Sequence, residues 1–302
     1  MKRKPASKLS IARSVIQLGV FAFVFLGTNV AVLAKRGVNL PFPSFEVHGV
    51  CPFGGVETLY ALVTGAGFVH KTQASAVILL LVVLTSTLLF GAVFCGWFCP
   101  FGTFQEFIGK LGKRLFPKLY NRVPRRADHV LRYVRYAVLV FIVVMTARVG
   151  KLVFETFDPY AALMNVLTGE VPTLALIALG IVAVASLFIE RPFCRYFCPF
   201  GAVLGLVGMV SLFRPRRNVS TCIGCKRCDR SCPMGIEVSG KDAVRDPGCI
   251  SCYRCMSGQA CPKPDTIVLG TRGALPGQTS TMPGSVQAMH AHAAETEVSH
   301  EN

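Results

Sequence analysis

Acidic residues are scarce in this chain, 16 Asp and Glu against 32 Lys and Arg, so the formal net charge is +16. A surplus of that size could suit nucleic acid, but no aromatic-interleaved basic motif accompanies it, and binding to DNA or RNA is excluded. Histidine is also sparse. None of the six lies within a long apolar run, which leaves no histidine ligand for a haem inside a membrane. No twin-arginine pair precedes the first apolar run, so no address for twin-arginine export stands there.

What the chain has in excess is apolar sequence. Hydrophobic residues make up 52% of it and the mean hydropathy is +0.51, above what a soluble chain of this length shows, which marks a membrane protein. Crossing a hydrocarbon core takes about 20 mostly apolar residues. Residues 15–34, 74–94 and 171–189 supply such runs. Residues 130–149 supply a fourth, with Arg132, Arg135 and Arg148 at its ends, expected to lay their stems along apolar surface and their guanidinium groups among the headgroups. Basic residues cluster before the first run (Lys2, Arg3, Lys4, Lys8, Arg13), after the second (from Lys110 to Arg126) and after the fourth (Arg191, Arg195, Arg214, Arg216, Arg217). The other loops carry only Lys35, Arg36, Lys71 and Lys151. The positive-inside rule then predicts a multi-pass protein of the bacterial inner membrane with both termini cytoplasmic. Its basic segments would be drawn to anionic lipid at about 1 kcal/mol per residue. The N-terminal run exceeds the ~7 to 15 residues of a signal-peptide core, which predicts an uncleaved anchor.

Twelve of the 13 cysteines fall into two kinds of motif. The first reads Cys222-x2-Cys225-x2-Cys228-x3-Cys232-Pro and Cys249-x2-Cys252-x2-Cys255-x5-Cys261-Pro. Three cysteines at intervals of three can wrap one 4Fe-4S cube while a fourth, before proline, reaches to a neighbouring cube. The spacing therefore predicts two clusters, one on Cys222, Cys225, Cys228 and Cys261, the other on Cys249, Cys252, Cys255 and Cys232. Zinc sites use short Cys-x2-Cys spacings as two separated pairs rather than triplets. The five residues before Cys261, where three are usual, put slack at the fourth ligand of the first cluster. A reducing compartment suits thiolate ligands of this kind.

The second motif is an internal repeat. Phe94-Cys95-Gly96-Trp97-Phe98-Cys99-Pro100-Phe101-Gly102 returns 99 residues later as Phe193-Cys194-Arg195-Tyr196-Phe197-Cys198-Pro199-Phe200-Gly201, seven of nine positions identical. Each copy follows a pair of apolar runs, so the region reads as a duplicated helix hairpin whose halves are related by an axis along the membrane normal. On the last turn of a helix, cysteines four apart share a face and the proline beyond ends the helix. Cys95, Cys99, Cys194 and Cys198 could then converge as a soft metal site (iron-sulfur, zinc or copper), act as thiol pairs that exchange electrons, or simply pack helix ends. A fainter repeat aligns the stretch around Cys51 with that around Asp158 and is expected on the outer side. There Cys51 is either reactive or packed, and Asp158 and Glu57 read as proton acceptors or as solvated loop carboxylates.

The resulting fold class is an α-helical membrane bundle of four transmembrane helices, built as a duplicated hairpin, plus a small cytoplasmic ferredoxin-like α+β two-cluster domain. The boundaries are a basic N-terminus at 1–14, the transmembrane domain at 15–213, the two-cluster domain at 214–268 and a disordered tail at 269–302.

Four spans, paired Phe-Cys-x3-Phe-Cys-Pro-Phe-Gly-like motifs and a terminal ferredoxin segment together resemble the NapH/NosR/CcoG group of polyferredoxin-like membrane proteins. The likeness covers about residues 10–268 and is nearest in layout to the NapH branch. It implies the membrane component of a quinol dehydrogenase, with a quinone or quinol and partner redox proteins as exchange partners. No flavin is expected, because the NosR-type extracytoplasmic flavin domain has no counterpart before residue 15. A hydrocarbon core ~30 Å thick is too wide for one electron jump. The quinone is therefore expected at the cytoplasmic leaflet, beside the four motif cysteines and Trp97, Phe101, Tyr196 and Phe200. Glu106 and Glu190 are the nearest carboxylates, for proton exchange or as ordinary interfacial charges. The alternative is an assembly factor whose Cys-x3-Cys pairs bind and reduce copper for a respiratory enzyme. A third reading is a redox sensor that signals through a partner.

Overall fold

The computed structural model describes residues 8–35, 74–149, 157–167, 171–263 and 265–271. The basic start before Lys8, Cys51 and Glu57 with their surrounding loop, and the tail from residue 272 lie outside the described residues.

The described chain is mostly helical. Four helices carry the apolar runs: α1 (Lys8–Lys35), α2 (Ala74–Phe90), α4 (Arg125–Val149) and α6 (Thr173–Phe188). Among the described residues α1 alone is long and apolar enough to cross a membrane, over Lys8–Val30, while α2 and α6 are apolar but shorter. Helix α4 is long enough, but its first turns are polar: Asp128 is buried beside Arg132. All four turn large apolar side chains outward, among them Val15, Leu81, Phe141 and Ile181.

Helices α2 and α6 stop before the runs do, and for different local reasons. After Phe90 the chain turns at Gly91, whose φ of +75° places it in the left-handed region that glycine enters freely. After Phe188 the turn is made by Arg191, a non-glycine residue at φ 53°. Each copy of the nine-residue motif then forms a separate short turn followed by a new helix. In the first copy Phe94–Phe98 is a single π turn and α3 is Pro100–Leu115. In the second, α7 is Pro192–Tyr196 and α8 is Pro199–Gly208. The expected geometry, with both cysteines on one final turn and proline ending it, is corrected here. Cys99 and Cys198 are N-caps of the next helices, with nearly equal backbone angles (φ −65°, ψ 114° and φ −68°, ψ 111°). Pro100 and Pro199 begin those helices at the position where a missing N–H costs nothing.

The duplication is visible in the packing. Helix α3 of the first repeat lies on α6 of the second, and α8 of the second lies on α2 of the first. Helix α1 packs on α3 and on the π turn, just as α4 packs on α8 and α7. Between α4 and α6 the chain adds α5 (Pro159–Met164), wedged against α1 and α6. Its last carbonyl, on Met164, accepts from Thr28 Oγ1 (3.0 Å) and Asn29 Nδ2 (2.6 Å). Asp158 caps its start by accepting from Tyr160 N at 2.9 Å. The segment expected on the outer side thus dips between the long helices until Tyr160 meets Phe101 edge-on, ring centroids 6.5 Å apart.

Beyond α8, strand β1 (Arg214–Arg217) pairs antiparallel with β2 (Ile267–Gly270), Arg214 opposite Gly270. The strand therefore runs two residues past the domain end expected at 268. Between the strands lie α9 (Arg227–Ser231), a 3-10 turn (Arg254–Met256) and a small core of Met234, Ile236, Val238, Val244, Ile250 and Ile267. Cys228 belongs to that core, Cys232, Cys249, Cys252 and Cys255 pack against it, and Cys95 of the first membrane motif touches it as well.

Candidate functional site

The eight cysteines of the terminal segment gather around two cavities. One is lined by Cys222, Cys225, Cys228 and Cys261. The other is lined by Cys232, Cys249, Cys252 and Cys255. The slack before Cys261 is taken up by a turn in which Ala260 N and Cys261 N both donate to Ser257 O at 2.9 Å. The two loops wind alike. Residues before and after the middle cysteine are left-handed in both: Gly224 and Lys226 at φ 65° and 51°, Ser251 and Tyr253 at φ 45° and 54°. Alternating hand lets a short loop curl its side chains around one volume, and Ser251 holds a conformation that favours glycine. Burial pushes the Cys232 thiol up to about 12 and the Cys228 and Cys249 thiols up to about 11. Metal must therefore displace protons to bind there at neutral pH. Among the described residues no three His, Cys, Asp or Glu side chains close on one metal ion. Four cysteines around each of two cavities give the one thiolate per iron that a cube requires.

The two membrane motifs are also brought together. All six pairings of Cys95, Cys99, Cys194 and Cys198 lie within electrostatic range of one another. Two reciprocal aromatic pairs lock the approach: Phe101 on Phe193, and Phe94 on Phe200. Buried Gln105 donates Nε2 to Cys194 Sγ (3.3 Å) and accepts from Phe193 N (3.1 Å), and Gly201 N donates to Cys198 Sγ (3.2 Å).

Charge is buried at this junction. Glu106 is paired with Arg13 and Arg191, the latter at 2.8 Å, and all three side chains are at most 6% exposed. Burial would raise the Glu106 carboxyl, but the guanidinium groups of Arg191 and Arg13 outweigh it and hold the group well below the usual carboxylate range. Glu106 is thus a fixed counter-ion, which argues against its use in proton exchange. Arg191 also donates to Cys95 O (2.7 Å), while Arg13 and Gln17 donate to Gly96 O (3.0 and 2.9 Å). Arg195 and Arg214 are buried too, at 4% and 3% exposure. Arg13, Arg191, Arg195 and Arg214 are therefore not free to meet lipid headgroups. Nor are Arg132 and Arg135: Arg132 donates to Met234 O and Gly235 O, and Arg135 is 3% exposed.

The junction runs straight into the terminal segment. A Cβ on Gly96 would lie 2.3 Å from Ile250 O and 3.1 Å from Cys252 Cα. Trp97 Nε1 donates to Ser251 O (3.2 Å), Tyr253 Oη to Phe90 O (3.2 Å), and Arg254 pairs with Glu190. Of the aromatics expected beside a quinone, Phe101, Tyr196 and Phe200 are buried and Trp97 is half-buried. The exposed ones are Phe98 and Phe197, equivalent positions directly before Cys99 and Cys198, at 43% and 46%. Sequence reasoning overlooked them, as it did Gln105 and Arg191, although the duplication singles out the phenylalanine pair.

A family model described as a 4Fe-4S binding domain matches residues 72–118 and 171–220, segments whose only cysteines are Cys95, Cys99, Cys194 and Cys198. A second, described as a 4Fe-4S dicluster domain, matches residues 214–289. The Escherichia coli protein YccM, named for electron transport, is 36% identical over 228 residues, 73% of this chain and 62% of YccM, so the chain spans about six-tenths of that relative. An uncharacterized protein of Methanocaldococcus jannaschii is 35% identical over 212 residues, covering 69% of this chain and 82% of its own length. The ferredoxin-type protein NapH of Haemophilus influenzae is 28% identical over 263 residues, 83% and 86% of the two chains. No solved structure matches the chain.

Cysteine-lined cavities and these two domain matches define an iron-sulfur electron-transport protein. Within that class the chain belongs to the NapH/NosR-like family of ferredoxin-type membrane proteins.

Proposed function

We propose that this chain is a membrane-anchored carrier that passes electrons between the quinol pool and partner redox proteins, with α1, α2, α4 and α6 in the lipid and the cysteine-rich segment in the cytoplasm. Cys249, Cys252, Cys255 and Cys232 hold one 4Fe-4S cube and Cys222, Cys225, Cys228 and Cys261 the other. The sharing of each set around one cavity supports this. Bound cubes would supply reversible one-electron storage at the potentials such centres span.

One observation carries the reading: the Cys-x3-Cys motif of the first repeat packs through Gly96 against the backbone of Cys252. The cavity that includes Cys252 is thereby the membrane-proximal one, and the cavity that includes Cys225 faces a soluble partner. Phe98 and Phe197 offer apolar rings on the surface beside Cys99 and Cys198, where a lipid-dissolved quinone ring would stack. Oxidation of quinol to quinone there releases two electrons, which leave one at a time towards Cys252, and two protons, which go to cytoplasmic water. Buried Arg13 and Arg191 and half-buried Arg254 lie within electrostatic range of Cys252 and favour negative charge arriving there.

The test is anaerobic reduction of the purified, cluster-loaded chain by a soluble quinol analogue, followed by bleaching of the iron-sulfur absorbance. Reduction by quinol within seconds is expected. Clusters that dithionite bleaches and quinol does not would overturn the quinol reading.

A further inference from the structure

We propose that Thr266 donates its hydroxyl to a sulfur of the cube held by Cys222, Cys225, Cys228 and Cys261, and thereby raises that cube's reduction potential. The proposal rests on the two-cube reading above and gives one of the cubes a tuning residue.

The observation that carries it is a hydroxyl with nothing to bond. Thr266 lines the cavity of those four cysteines and is 2% exposed, and its Oγ1, sealed from water, has no hydrogen-bond partner among the described residues. The other two hydroxyl residues in that lining are already engaged: Ser239 Oγ donates to Asp229 Oδ2, and Thr221 Oγ1 to Asn218 O at 3.5 Å. A buried hydroxyl left unpaired is costly, and folded chains rarely keep one. A cube in the cavity removes that cost, because its sulfurs accept hydrogen bonds, and such bonds are among the levers that set a cluster's potential.

Thr266 is also held in place through its backbone. Its carbonyl accepts from Asn218 N at 2.8 Å, and the next residue, Ile267, is buried in the small core and pairs with Arg217 across the β1–β2 ladder. Strand pairing and core packing therefore place the residue without help from a cluster, and the donor stands ready before a cube arrives.

Among the described residues the second cavity has no such donor. Its cysteines are joined by apolar side chains, among them Met234, Ile236, Val244 and Ile250, and by Tyr253, whose Oη donates away from the cavity to Phe90 O. Basic residues follow the same division: Arg217, Lys226 and Lys263 line the Thr266 cavity, and no described Lys or Arg lines the other. One-electron reduction adds negative charge to a cube, and a hydroxyl donated to one of its sulfurs stabilises that charge. Thr266 thus acts on the cube from which a soluble partner would take the electron.

The experiment is an EPR-monitored redox titration of the full chain, produced anaerobically and purified in detergent, with iron counted in every sample. Two pairs isolate the hydroxyl: wild type against Thr266→Val at matched shape, and Thr266→Ser against Thr266→Ala at matched size. Within each pair the member without the hydroxyl should show one midpoint at a more negative potential, the same midpoint that Cys261→Ser alters, with iron content unchanged. Thr271→Val, at an exposed position just past β2, should move nothing. Equal midpoints within both pairs at full iron content overturn the proposal, and so does a shift in Thr266→Ser as large as that in Thr266→Ala, since lost bulk and not the lost hydroxyl would then be at work. Loss of the cube from Thr266→Val and Thr266→Ala with its retention in Thr266→Ser supports the contact; loss from all three overturns it. An iron content that Cys225→Ser with Cys252→Ser does not lower at all would instead sink the two-cube reading itself.

Discussion

Phe101 meets Phe193 edge to face, ring centroids 5.2 Å apart and planes at 90°. Their counterparts 99 residues away, Phe200 and Phe94, repeat the contact at 6.1 Å and 87°. Each ring from the helix after a motif packs on the ring that opens the other motif, so the pairs cross from one repeat to the other. Truncating one buried Phe should cost about 3 to 5 kcal/mol. The geometry of the pair adds about 0.5 to 1.5 kcal/mol that only a double-mutant cycle isolates. Phe101→Ala and Phe193→Leu, singly and together, should show that coupling in thermal unfolding in detergent. Strict additivity would mean that the two rings merely fill space.

Glu106 gives the second prediction. Arg13 and Arg191 both end on it in a dry junction. Removing the carboxylate on which both arginines end strands two buried cations, and Glu106→Gln should destabilise by about 3 to 5 kcal/mol. Glu190 pairs with Arg254, whose side chain is 31% exposed, so Glu190→Gln should cost about 1 kcal/mol or less. Comparable losses in the two variants, read by thermal unfolding, would contradict the ranking.

How much of this was legible beforehand differs by element. The triplet spacing grouped the cysteines because a cube imposes local rules on chain length, and each loop closes within about ten residues. The duplication showed as well, since identical residues at one offset need no structure to be seen. The Arg13–Glu106–Arg191 junction did not, because its partners are 93 and 85 residues apart and charge counting alone assigns both arginines to the lipid surface. The dip of α5 was missed because a short segment with no apolar period gives no sign of depth. Its anchors, Thr28 and Asn29, lie 135 or more residues away in α1. The prolines of the motifs were read as helix ends when they are helix starts, a choice that depends on whether the preceding cysteine is extended.

Gly96 gives the third prediction. A methyl group there would stand 2.3 Å from Ile250 O, so Gly96→Ala must push the membrane motif and the Cys252 loop apart, since both neighbours are backbone. Iron content should stay as in wild type, and quinol-driven bleaching should slow markedly. Gly180→Ala on α6, where nothing lies within 4 Å, is the control and should change neither. Unaltered bleaching in Gly96→Ala would remove the contact from the electron path.

Asp128 links acid sensitivity to the way the terminal segment is held. Its carboxylate accepts from Tyr196 Oη (2.7 Å) and from Arg132 Nε and Nη2 (3.0 and 2.7 Å) and pairs with Arg195. Arg132 in turn holds Met234 O and Gly235 O, so one side chain ties α4, α7 and the cysteine-rich segment together. Burial would raise the Asp128 carboxyl, but the hydrogen bonds from Arg195, Tyr196 and Arg132 win and hold it below its ordinary value. A carboxyl depressed on folding stabilises fully above its unfolded value, roughly pH 4, and loses that contribution as the pH falls through its folded value. Asp128→Asn should therefore be less stable than wild type at pH 7 by a margin that stays level down to about pH 5 and narrows below about pH 4. Chemical unfolding followed by tryptophan fluorescence from Trp97, the single tryptophan, reports this directly, because the ring sits on Ser251 at the same junction. A margin that stays level through the acid range would mean that the Asp128 carboxylate contributes shape and not charge.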